Sequence, residues 1–156
     1  CIFRSMKRRK PGTTKRKSAK KRQLGKYKSG LEKSCADLLK EEKIEFDYEK
    51  LEYVLVEKFR HQGVYFKMTP KAKEMKDRTA SMILPIKYTP DFVAKDGSWI
   101  IETKGYTPSH HDFTMRWKLF LKHLNDQDEP IPMLFICKNK QQVAEAIQII
   151  KNGGTK

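Results

Sequence analysis

The stretch "YTPDFVAKDGSWIIETKG", residues 88–105, constrains this chain most. Two apolar runs flank Asp96-Gly97, a pair that favours a tight β-hairpin because both residues tolerate positive φ. With Asp96 and Gly97 as the loop, facing positions sum to 193, and Asp91 stands opposite Glu102. Opposed Cβ atoms lie about 4.5–5.5 Å apart, where like charges are destabilising. Alternation puts Thr89, Asp91, Val93, Ile100, Glu102 and Lys104 on one face. Pro90, Phe92, Trp99, Ile101 and Thr103 take the other. A bulge in a longer loop would slide the pairing by one residue, but Glu102 and Lys104 share a face in either case.

Around this hairpin the periodicities predict α-β-β-β-α-β-α. Ser29 is a helix N-cap, followed by Leu31, Cys35, Leu38 and Leu39 at helical spacing, with the end expected near Lys43. Residues 44–56 alternate and predict one strand bent near Lys50; "GVYF" predicts a short strand, and 68–80 an exposed charged loop. The hairpin strands are expected at 86–94 and 98–104. Ser109 opens a second helix that buries Phe113, Trp117, Phe120, Leu121 and Leu124. The apolar run 131–137 predicts a strand covered on both faces. A last helix at 140–151 buries Val143, Ile147 and Ile150. Apolar residues on both hairpin faces call for helices on both sides of the sheet. The strand–helix–strand step from about 104 to 131 suits a right-handed parallel crossover. The expected class is α/β, a mixed sheet flanked by helices.

Charge divides the chain unequally. Residues 1–28 hold 13 Lys or Arg and no acid, whereas 29–156 hold 21 basic and 19 acidic side chains. The expected organisation is a basic arm, 1–28, before one domain, 29–156, with a charged insertion near 57–85. The arm lacks the apolar residues needed to order itself. Its Lys7, Arg8, Arg9, Lys10, Lys15, Arg16, Lys17, Lys20, Lys21, Arg22, Lys26 and Lys28 fit a nucleic-acid contact that releases counterions from phosphate. No apolar run reaches the roughly 20 residues that span a bilayer, so no membrane partner is expected. Three scattered cysteines, Cys1, Cys35 and Cys137, fit a reducing intracellular compartment.

The paired acids have two explanations. Lys104 neutralises one of them in an ion cluster, leaving a negative charge behind. Alternatively, a divalent cation belongs there, since Mg²⁺ prefers one or two carboxylates with water and substrate phosphate. Lys104 would then stabilise charge developing on a scissile phosphate or orient the nucleophile. Glu32 is a third candidate acid. Ser29-Gly30-Leu31-Glu32 also matches the capping box S-x-x-E, which alone would explain it. Adjacent His110 and His111 point apart on a helix and read as exposed polar residues at its start rather than as a zinc site, from which they could approach a phosphate. The Trp117 stripe reads as core. Tyr106, Lys138 and Lys140 are placed to face DNA.

"PDF", then "ETK" with ten residues between Asp91 and Glu102, resembles the PD-(D/E)XK nuclease signature. "SGLE", "IEFDYE", "YTPDF" and "ETKG" follow the order found in phage endonuclease I, the Holliday-junction resolvase family, and the likeness covers about residues 26–137. The resemblance implies a restriction-endonuclease-like core and acidic ligands Glu32, Asp91 and Glu102 for Mg²⁺ or Mn²⁺. It implies a Thr103 carbonyl in the metal shell and Lys104 as catalytic lysine. Asp47 occupies the place of an additional family acid, with Glu49 nearby. It further implies a homodimer that nicks four-way junctions, working in the cytoplasm of a bacterial or phage-infected cell. The segment from about 57 to 85 is longer than the family's connection.

The expected function is therefore a metal-dependent, structure-selective DNA endonuclease. The alternatives are a homing, nicking or restriction-type enzyme on the same core and a non-catalytic basic nucleic-acid-binding protein. The acids weigh against the last, since binding phosphate needs none.

Overall fold

The computed structural model describes residues 24–71, 73–105 and 111–154. Helix α1 (Gly30–Glu41) precedes strands β1 (Phe46–Tyr48), β2 (Tyr53–Val56), β3 (Phe59–Arg60), β4 (Phe66–Lys67), β5 (Lys76–Asp77), β6 (Met82–Ile83), β7 (Ile86–Tyr88), β8 (Phe92–Ala94) and β9 (Trp99–Thr103). Helix α2 (His111–Asp126), strand β10 (Met133–Cys137) and helix α3 (Lys140–Lys151) complete the order. Most of the basic arm lies outside the described residues, as do Ser109, His110 and Tyr106.

Four strands form the central sheet in the order β1-β8-β9-β10. β1, β8 and β9 are antiparallel neighbours, and β10 joins β9 in parallel. The expected parallel pairing of the strands before and after α2 is thus present. Helices cover both faces because both faces are apolar. Phe92, Trp99 and Ile101 pack with Cys35, Leu39, Val143 and Ile147 of α1 and α3. Val93 and Ile100 pack with Phe120 and Leu124 of α2, under partly buried Trp117.

The hairpin pairs Phe92 with Ile101 and Val93 with Ile100, which keeps the register sum of 193. Its loop is wider than two residues. Gly97 N–H closes a turn on Ala94 O (3.0 Å) with φ +76°, and Asp96 accepts from Ser98 N and Oγ. A four-residue loop centred on the same two residues preserves the sum.

Three expectations need correction. The strand drawn through 86–94 breaks at Thr89-Pro90-Asp91, since Pro90 has no N–H to continue a ladder. The strand drawn through 44–56 breaks at Glu49, whose φ of +45° turns the chain. β10 is a half-exposed edge strand: it borders only β9, and Ile136 faces outward. Helix α1 ends at Glu41 with Glu42 as its C-cap, in keeping with an end near Lys43. The packed body also reaches into the expected arm, because Tyr27 is buried against Tyr48 and Phe92.

The 57–85 insertion is organised. β2 pairs with β7, β3 with β6 and β4 with β5, all antiparallel. Their partner numbers sum to 141–142, 142 and 143, so the three pieces follow one hairpin axis with small shifts. The charged loop expected at 68–80 therefore contains β5 and forms the return side of a long two-stranded ribbon.

Candidate active site

The two breaks in the strands build the site. Beyond Pro90 the chain kinks, and Glu49 donates its backbone N–H to Asp91 O (2.9 Å). Glu49 is one of three non-glycine residues at positive φ among those described. That conformation costs an L-residue about 1–2 kcal/mol. Its compensation is visible: the turn ties β1 to the Asp91 kink, and the Glu49 carboxylate meets Lys28 Nζ at 2.5 Å.

Continuing the 92–101 register brings Asp91 level with Glu102. Asp91 Oδ2 accepts from Thr103 N (2.8 Å) and Thr103 Oγ1 (2.6 Å). Glu102 Oε2 accepts from Tyr88 Oη (2.7 Å) and, at longer range, from Asp91 N (3.4 Å). Each acid thus has its own donors rather than sharing a proton with the other. Both are buried, and burial dominates the electrostatics. It pushes the Asp91 carboxyl up to about 7, Glu102 adding to the rise and the Thr103 bonds opposing it. Burial, then the Glu102 charge, likewise raises the Tyr88 phenol far above its usual range, so it stays a donor.

Lys104 Nζ lies 3.2 Å from Glu102 Oε1 and 4.5 Å from the centre of the Phe113 ring. The shared face expected for these residues is present. The ammonium is held by a carboxylate on one side and a π-face on the other, a geometry that fixes a flexible side chain.

Glu32 is buried at the first turn of α1. Ser29 Oγ accepts from Glu32 N (3.1 Å), the first half of a capping box. The reciprocal half is replaced: Glu32 Oε2 accepts from Lys28 N (2.8 Å) and Tyr48 Oη (2.5 Å). Capping therefore explains the backbone of this residue but not the direction of its carboxylate, which lines the same cleft as Asp91 and Glu102.

That cleft has a volume of about 470 Å³. Glu32, Asp91, Glu102 and Thr103 are its buried lining; Lys28, Lys87, Lys104 and Arg116 also line it, Lys28 paired with Glu49, Lys87 with Glu52 and Arg116 with Asp112. Asp47 is absent from the lining. Period two turns it away from Tyr48, and it pairs with Lys95 (2.6 Å) and Lys50 (3.5 Å), which lower its carboxyl. Glu49, two residues on, lines the cleft instead. Only the positive-φ break distinguishes the two, and no sequence period announces it. Tyr48 and Tyr88 are the other residues that sequence reasoning missed. Both lie on the edges of apolar runs, where a tyrosine reads as core.

Lys26 lies over the rings of Tyr27 and Tyr48 and is not among the residues that line the cleft. Lys138 and Lys140 are exposed beside the end of β10. Cys35 and Cys137 are buried and free, with thiols raised by burial, so neither is a nucleophile. Among the described residues, no group of three or more His, Cys, Asp or Glu is arranged to hold a metal ion. None of their helices is long and apolar enough to cross a membrane. No protein-family model matches the chain, and no curated protein or solved structure matches it either.

Proposed function

We propose that this chain is a metal-dependent DNA endonuclease of the PD-(D/E)XK type that hydrolyses phosphodiesters in branched DNA such as four-way junctions. One observation carries the reading. Two carboxylates, Asp91 and Glu102, are buried in one cleft, Glu102 has an ammonium at 3.2 Å, and Lys28, Lys87 and Arg116 line the same cleft in exposed ion pairs that phosphate could replace. Burying an ionised carboxylate is expensive unless something compensates it. Two ionised acids and one lysine leave a negative charge, and a buried aspartate whose pKa burial raises marks a candidate functional site.

The donor set fits Mg²⁺ or Mn²⁺. Asp91, Glu102 and the Thr103 carbonyl would hold it, with Glu32 across the cleft, and hard oxygens completed by water and phosphate are the usual Mg²⁺ environment. When bound, the ion would supply Lewis-acid polarisation of the phosphate and cancel the carboxylate repulsion. The remaining work falls to the chain. Thr103 and Tyr88 hold the two carboxylates in fixed orientations. Lys104 presents its ammonium where charge grows on the phosphate during in-line attack. Lys28, Lys87 and Arg116 collect the backbone on either side of the scissile bond. The expected products carry a 5′-phosphate and a 3′-hydroxyl, and paired nicks across a junction require a homodimer. The basic residues of the N-terminal arm supply non-specific attraction to the duplex.

The test is to incubate the protein with Mg²⁺ and matched linear, flapped and four-way DNA. Preferential cutting of the branched substrates is expected. Cutting of linear DNA at one sequence would assign the chain to the sequence-reading nucleases. Unchanged cleavage by Glu102→Ala protein would remove the site assignment.

A further inference from the structure

The ribbon of residues 57–85 carries the positive charge of the domain. It contains seven Lys or Arg against three acids, leaving the rest of 29–156 with 14 basic and 16 acidic side chains. The body neutralises its charges: all nine described ion pairs join residues outside the ribbon. None of the ribbon's basic side chains has an ion-pair partner among the described residues. Two of them, Lys67 of β4 and Lys76 of β5, are direct cross-strand partners. Like charges there oppose the pairing they sit on.

The same ribbon exposes apolar side chains. Phe59, Val64, Phe66, Met68, Met75 and Met82 are all exposed, and Leu84 is 76% accessible. Lysines on an edge strand keep it from aggregating, but seven exposed apolar side chains do not serve solubility. Alternation sets Lys67 and Lys76 on one face of the ribbon and Phe66 on the other, so a ribbon entering a branch point offers cations to phosphates on one side and an apolar surface to base faces on the other.

Position agrees. β7 ends the ribbon's return side, and its Lys87 and Tyr88 line the cleft. Eleven residues separate Val56 from Lys67, a reach of at most about 36 Å along an extended strand. A second copy of the chain is a poorer occupant, since pairing ribbon with ribbon would bring two net charges of +4 together.

We infer that the 57–85 ribbon is a second nucleic-acid contact, with Lys67 and Lys76 seated on phosphates and Phe66 and Met68 against bases exposed at a branch point. The inference depends on DNA being the partner, as in the proposed function, but on none of the catalytic assignments.

The experiment uses the full chain in EDTA, so that cleavage plays no part. Fluorescence anisotropy follows binding of a labelled four-way junction from 50 to 200 mM salt. Lys67→Ala/Lys76→Ala should lower the salt slope by about 2, roughly 0.9 for each phosphate that is no longer neutralised. Over that range the wild type should lose about tenfold more affinity than the variant. Phe66→Ala/Met68→Ala should weaken junction binding about fivefold or more with the slope unchanged. Both pairs are exposed, and unchanged thermal melting confirms that each variant is folded. An unchanged slope in the lysine variant overturns the inference while leaving the nuclease reading intact. If the slope is unchanged and sedimentation shows that a dimer has dissociated, the ribbon belongs to a second copy. If wild-type protein binds no DNA at 50 mM salt, the DNA reading and the ribbon's role fall together.

Discussion

The molecule commits the same local offence twice, once in its body and once in its ribbon. Asp91, just before β8, meets the like charge of Glu102 on β9, and Lys67 and Lys76 face each other across β4 and β5. Burial separates the two cases. In the body the acids are nearly inaccessible, and loss of water pushes the Asp91 carboxyl up to about 7. On the ribbon both lysines are exposed, where solvent weakens a charge–charge contact to about 1 kcal/mol at 4 Å. The first arrangement demands a strongly bound cation or a proton. The second asks only for a diffuse anion. A catalytic centre and a backbone contact differ in just this way.

The sharpest way to break the comparison is at the acids. Glu102→Ala or Lys104→Ala should lower cleavage about 10³-fold or more, with junction binding in EDTA retained. Gel assays of cleavage and binding on the same preparations check this. Loss of both together would mean that the body, not the ribbon and arm, holds the DNA.

Next in size is packing. Phe92 is fully buried between β1 and α1, whereas Phe66 lies exposed on the ribbon. Phe92→Ala should cost about 3–5 kcal/mol, and Phe66→Ala within about 0.5 kcal/mol. Denaturant unfolding measures both. A large loss at Phe66 would show that the ribbon packs against something in solution.

Asp91 gives a pH test. Its folded pKa lies above the unfolded value, so the folded state binds the extra proton. Stability from this group is fullest below about pH 4 and is lost as pH rises through about 7. Asp91→Asn keeps an oxygen for Thr103 and removes the charge. Without metal it should melt several degrees above wild type at pH 8, and the gap should close by pH 5. Mg²⁺ should raise the wild-type melting temperature at pH 8 and leave Asp91→Asn unmoved. Equal responses in the two proteins would argue against a cation at Asp91.

The smallest effect belongs to the ribbon. Lys67→Thr relieves the cross-strand repulsion and should stabilise the metal-free, DNA-free protein by a few tenths of a kcal/mol. Differential melting resolves it, and destabilisation would mean that Lys67 has a partner.

The chain pattern made the hairpin legible because its cause is local. Asp96-Gly97 turns, the apolar positions alternate, and the register follows; Phe92, Val93, Ile100 and Ile101 occupy the faces expected of them. The parallel pairing of the strands before and after α2 was legible for a similar reason, the spacing of one helix between two apolar runs. Glu32 was half legible, since a capping box and a cleft-facing carboxylate look alike until Tyr48 is brought to it. The exchange of Asp47 for Glu49 was hidden, because one backbone torsion decides it.

By itself, the sequence determined the charged inventory, the hairpin register and the common face of Glu102 and Lys104, all set by interactions within a few residues or across one turn. Tertiary structure decided the rest. It broke the strands at Pro90 and Glu49, and it aimed Tyr88, Tyr48 and Thr103 at the three acids. It also folded a charged insertion into a ribbon rising from the cleft. Those outcomes depend on which distant surfaces become dry together, and burial is a property of the assembled chain rather than of any segment.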